Sequence, residues 1–85
     1  KVEDILANGL AGLYKELSPA EQQVFRATGE ATAKKIVTLL AQVKVKVSEI
    51  LKLIRQWLLS IPGVNKYFVE QEAKIKADRV LKLRS

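Results

Sequence analysis

One stripe constrains this chain more than any other feature. No proline stands between Pro19 and Pro62, and within that interval Ile36, Leu40, Val43, Val47, Ile50, Ile54, Trp57 and Ile61 recur at steps of 4, 3, 4, 3, 4, 3 and 4. This is the heptad spacing of a helical seam. Leu39, Leu51 and Leu58 widen it. Phe25, Gly29, Thr32 and Ala33 continue it backwards with mostly small residues. The spacing predicts one helix over 19–60, about 42 residues or roughly 63 Å long. A helix of that length belongs in a bundle or a coiled coil. Gly29 is its weakest point, and a break near 28–30 is the alternative.

The stretch QVKVKV (42–47) lies inside this helix and carries a competing signal. Its valines alternate with lysines, as residues of a half-buried strand do, and valine favours strands. A strand there would interrupt eight periodic positions for the sake of three, so helix is the expectation. Val43 and Val47 then lie on the seam, Lys44 and Lys46 on its shoulders, and Val45 on the far side. Val37, Ala41 and Val45 are spaced by four and form a second, weaker strip.

Two shorter helices flank the long one. Val2, Leu6, Leu10, Leu13 and Leu17 make a stripe over about 2–17, with Glu3 and Asp4 in the first turn, where the helix dipole favours negative charge. Gly9 and Gly12 sit at its edge, either for the close approach of a neighbour or as a bend. Ser18-Pro19-Ala20-Glu21 is a capping box with proline at the first helical position. Pro62 and Gly63 end the long helix, and Asn65 can cap the next. That third helix, about 65–82, has two apolar faces. Val64, Phe68 and Ile75 form one; Val69, Ala73, Ala77 and Val80 form the other, with Glu72, Lys76 and Arg79 between them.

The expected architecture is all-α: three antiparallel helices in an elongated bundle with a long central member. Short turns make sequential helices antiparallel neighbours. The two outer helices would lie end to end on the central one. That brings Gly9 near Gly29 and Thr32, Phe68 near Trp57, and Ile75 near Ile50. With 85 residues the chain is a single helical domain. It begins at Lys1 without a start methionine, so a processed chain or a fragment is expected. A chain this short buries about 60–65% of its unfolded surface and has a marginal core. Neither disulfides nor cysteine- or histidine-based metal sites can supplement it, because both residues are absent. Association with a second copy or another protein is the remaining supplement.

Charge narrows the function classes. The net charge of +6 divides as −2 over residues 1–30, +5 over 31–60 and +3 over 61–85. Catalysis is not expected. Glu3/Asp4 and Glu70/Glu72 point different ways on their helices and do not converge as acid–base pairs. No catalytic, metal or cofactor-binding residue is assigned, and neither a cofactor nor a small-molecule substrate is expected. The leading reading is a non-enzymatic structural or interaction module that self-associates or docks to a protein partner. Its interface would be the seam (Ile36, Leu40, Val43, Val47, Ile50, Ile54, Trp57). A second interface would comprise Val37, Ala41, Val45, Val69, Ala73, Ala77 and Val80. The alternative is peripheral binding to an anionic membrane, because 34–61 reads as a basic amphipathic helix with a tryptophan near its end. Lys34, Lys35, Lys44, Lys46, Lys52 and Arg55 would make the anionic contacts. Nonspecific nucleic-acid binding ranks third, supported only by charge. No uncharged run exceeds ten residues, far short of the roughly 20 apolar residues that span a bilayer.

The stretches LYKELSPAEQQVF and IPGVNKYFVEQEAKIKAD resemble parts of small uncharacterised helical proteins encoded in bacterial genomes. The resemblance implies a helical fold. It implies no activity, ligand or site residue.

Overall fold

The computed structural model describes residues 1–84. They form five helices and no strand: α1 (Val2–Ala7), α2 (Ala11–Glu16), α3 (Pro19–Leu40), α4 (Val47–Leu59) and α5 (Lys66–Lys82). The all-helical class agrees with the sequence reading. The count and the layout differ from it.

The long central helix is two helices. The chain leaves helical geometry over 41–46, in QVKVKV, and α4 returns alongside α3. Gly29 does not break α3, which runs through it. The break falls among three β-branched residues of poor helix propensity. An unbroken stripe would have only the two outer helices, or another chain, to cover it. Folded back, Phe25, Gly29, Ala33 and Ile36 of α3 are buried together with Ile50, Ile54 and Trp57 of α4. The heptad rhythm survives the break because both helices present their apolar faces inward. The longest dimension is 40 Å, not the length of a 42-residue rod.

The segment 2–17 is also split. α1 stops at Asn8, and Gly9 takes a φ of +79°, a left-handed conformation that favours glycine. A Cβ added at Gly9 would approach nothing closer than Glu72, at 3.8 Å. Gly9 therefore serves the bend and not a close approach to Gly29. The small residue that admits a neighbour is Gly29 itself, and the neighbour is Trp57.

The local signals at other helix ends act as expected. The Ser18 hydroxyl accepts from the Glu21 amide (3.2 Å), and the Glu21 carboxylate accepts from the Ser18 amide (2.9 Å). Asn65 Oδ1 accepts from the amides of Tyr67 and Phe68. The helix predicted at 65–82 is α5. Its largest interface is with α4. Ile75, placed by sequence near Ile50, is exposed, whereas Val69, Ala73, Ala77 and Val80 supply the core face. Across α4–α5, Arg55 Nε lies 2.8 Å from Glu70 Oε1, and its Nη2 donates to Oε2 at 3.3 Å. The Nε contact is off the N–H line, so it is an ion pair and not an aligned hydrogen bond.

Lys76 is the departure that sequence patterning missed. Placed by sequence on a polar strip, it is 2% exposed. Its Nζ donates to the Asn8 carbonyl (2.6 Å) and pairs with Glu72 Oε1 (3.2 Å). The carbonyl belongs to the residue that closes α1, so Lys76 satisfies a helix end that water would otherwise serve. It also ties α1 to α5. Its long aliphatic stem lets it pack with the core while the ammonium reaches that partner.

Candidate functional site

The predicted seam is largely consumed inside the chain. Trp57 stacks on Phe25 with ring centroids 4.5 Å apart and planes 10° from parallel. Its indole N–H donates to the Phe25 carbonyl at 3.1 Å. Gly29 makes room for the ring. Ile36, Ile50, Ile54 and Trp57 are buried in one core, and Leu40 is half-buried against it. Of the assigned seam, only Val43 and Val47 face outward, at 95% and 50% exposure.

The second strip divides as well. Val69, Ala73, Ala77 and Val80 are core. Val37 and Ala41 are exposed, and Val45 packs against the core. The two valine roles assigned from sequence are thus exchanged: Val45 turns in, and Val43 turns out. Outside helical geometry, the sides that a helix would have given them no longer hold. Lys46, with φ −91° and ψ 93°, is already extended where α4 begins.

Together these residues make the tip of the α3–α4 hairpin. Lys44 and Lys46 are exposed on either side of the inward Val45, next to Val43. The C-terminal end of α5 joins them, since Arg84 Nη2 donates to the Val43 carbonyl at 3.2 Å. Leu83 beside it is also exposed. Lys34, Lys35 and Lys52 are exposed along α3 and α4, but Arg55 is engaged with Glu70. Of the six cations assigned from sequence, five are exposed and Arg55 is half-buried in its ion pair with Glu70. Lys44 and Lys46 stand at the tip, and the arginine that sequence did not assign, Arg84, stands with them.

A second surface lies between α1, α2 and α3. It is a cleft of about 440 Å3 with Leu6, Leu10, Phe25 and Trp57 in its walls. Glu3, Asp4 and Glu30 stand at its edge with Arg26, which donates to the Tyr14 hydroxyl (2.9 Å) and lies over that ring. Sequence reading missed this cleft. It depends on the bend at Gly9, which redirects α2 relative to α1. The only advance signal was the ambiguous pair of glycines.

Among the described residues, no group of three or more histidine, cysteine, aspartate or glutamate side chains is placed to hold a metal ion. No described helix is long and apolar enough to cross a membrane. No protein-family model, curated protein or solved structure matches the chain.

Proposed function

We infer that this chain is a non-enzymatic helical interaction module that docks through its basic, aliphatic tip. One observation carries the reading. Val43 is almost fully exposed beside Lys44 and Lys46, while most of the apolar stripe to which it belongs is buried within the chain. Scattered exposed aliphatics are ordinary. A valine presented on a loop among lysines, with Val47 and Leu83 nearby, offers both apolar area and charge to an acidic partner. The chain contains no histidine or cysteine, and the tip holds no set of groups arranged for acid–base or nucleophilic work.

The same lysines and valines suit the headgroup region of an anionic bilayer, which is the second reading. Amide chemical shifts mapped during titration with polyglutamate, and separately with phosphatidylserine vesicles, test the docking surface itself. Perturbations centred on 42–48 and 82–84 with either probe support the tip. Perturbations spread evenly over all exposed lysines, or none, refute it.

A further inference from the structure

The tip and the cleft are complementary in two independent respects. The tip presents an apolar side chain, Val43, flanked by cations. The cleft is lined by Leu6, Leu10, Phe25 and Trp57, which leave little surface exposed, by Ala7, Ala11 and Tyr14, and by three carboxylates, Glu3, Asp4 and Glu30. None of these carboxylates is in an ion pair among the described residues. Against them stands one guanidinium, Arg26, already directed at Tyr14. The charge division along the chain, acidic at the start and basic afterwards, has therefore become two separate surfaces.

We propose that the tip of one copy seats in the cleft of a second copy, with Val43 in the apolar opening and Lys44 and Lys46 against Glu3, Asp4 and Glu30. This rests on the reading of the tip as the docking surface and names its partner. Because tip and cleft are different patches on the same chain, the contact is heterologous. Unless the rotation between copies closes a ring, each added copy leaves one tip and one cleft free. Growth is head-to-tail and concentration-dependent. A loop of about six residues lies at the low end of interface sizes, so weak association is expected. Its charged contacts are solvent-exposed and screened by salt over about 10 Å or less at physiological strength.

The geometry makes a specific experiment available. One variant, Val43→Ser/Lys44→Ser/Lys46→Ser, removes the tip and keeps the cleft. Another, Glu3→Gln/Asp4→Asn/Glu30→Gln, neutralises the cleft and keeps the tip. All six positions are exposed, and circular dichroism and melting confirm that both variants fold. Sedimentation velocity from about 20 μM to 1 mM, in 50 mM salt, reads the assembly. The parent chain should show a weight-average mass that rises without a dimer plateau and falls at least about tenfold in association constant at 500 mM salt. Each variant alone should be monomeric. Their mixture should form a one-to-one complex that grows no further, because one partner supplies the only intact tip and the other the only intact cleft. A parent chain monomeric at 1 mM overturns the proposal, as does a tip variant that associates like the parent. If the parent is monomeric but polyglutamate still shifts the tip, the second-copy assignment fails while the docking surface stands. Tip-dependent binding to phosphatidylserine vesicles by a monomeric parent likewise overturns the second copy and selects the membrane. No response to any probe removes both readings.

Discussion

Gly29→Leu is the substitution that most directly strains the packing between α3 and α4. A Cβ at Gly29 would lie 3.0 Å from Trp57 Cζ2, 3.1 Å from Cε2 and 3.2 Å from Nε1. Those atoms belong to a rigid ring clamped by Phe25 on its face and by a hydrogen bond to the Phe25 carbonyl. A leucine therefore displaces the indole. The stack is worth about 0.5–1.5 kcal/mol beyond its area. Stranding the buried indole N–H costs about 1–3 kcal/mol, while the Phe25 carbonyl keeps the Thr28 hydroxyl as a donor. Replacing glycine within a helix returns about 1 kcal/mol. The net expectation is a loss of about 0.5–3.5 kcal/mol, centred near 2. A domain of this size has about 4–13 kcal/mol in total. Urea unfolding followed by circular dichroism should show a midpoint lower by about 2 M, for a slope near 1 kcal/mol/M. Trp57 is the only tryptophan, so native-state fluorescence should shift to the red in the same variant. Gly12→Ala is the control: it lies in α2 with nothing within 4 Å of the added carbon. It should gain up to about 1 kcal/mol. A Gly29→Leu protein as stable as the parent, with unchanged fluorescence, refutes the packing of Trp57 on α3.

Other perturbations separate the remaining contacts. Lys76→Met keeps the length of the stem but leaves the Asn8 carbonyl without its ammonium donor; a loss of about 1–3 kcal/mol is expected, with faster amide hydrogen exchange confined first to α1. Ser18→Ala removes the hydroxyl that accepts from the Glu21 amide and should cost about 1 kcal/mol in urea unfolding. Gly9→Ala forces a non-glycine residue into the left-handed region at +79°. It should destabilise by roughly 1–2 kcal/mol, opposite in sign to Gly12→Ala, and calorimetric melting distinguishes the pair.

What was legible in the sequence follows the range of the interaction concerned. Ser18-Pro19-Ala20-Glu21 and Asn65 act within three residues of themselves, and the structure places their caps where the sequence reading put them. The periodic stripe correctly marked Ile36, Ile50, Ile54 and Trp57 as residues that must be covered. Periodicity carries no information on what covers them. A seam facing a partner and a seam folded on itself have the same spacing, and in this chain the two halves of one stripe meet. The decisive residue was Gly29, whose missing side chain is the seat for an indole 28 positions later in the sequence. Sequence reading treated it as a weakness in the helix. Lys76 was misplaced for a related reason: its partner, the end of α1, lies 68 positions away. The tip was half legible. QVKVKV carried a strand-like alternation that was overruled by the longer rhythm, and the extended backbone at Lys46 shows that its local preference counted.

The stripe is folded back at 41–46 within a single chain. The absence of native cysteine allows spin labels to be placed cleanly at Val24→Cys and Leu59→Cys, both exposed positions. Electron–electron double resonance, with labelled protein diluted into an excess of unlabelled chain, measures their separation within one molecule. The fold-back predicts about 15–20 Å, from a helix packing distance of about 8–10 Å plus the reach of the labels. A distance near 50 Å, the span of 35 residues in a continuous helix at about 1.5 Å each, would contradict it.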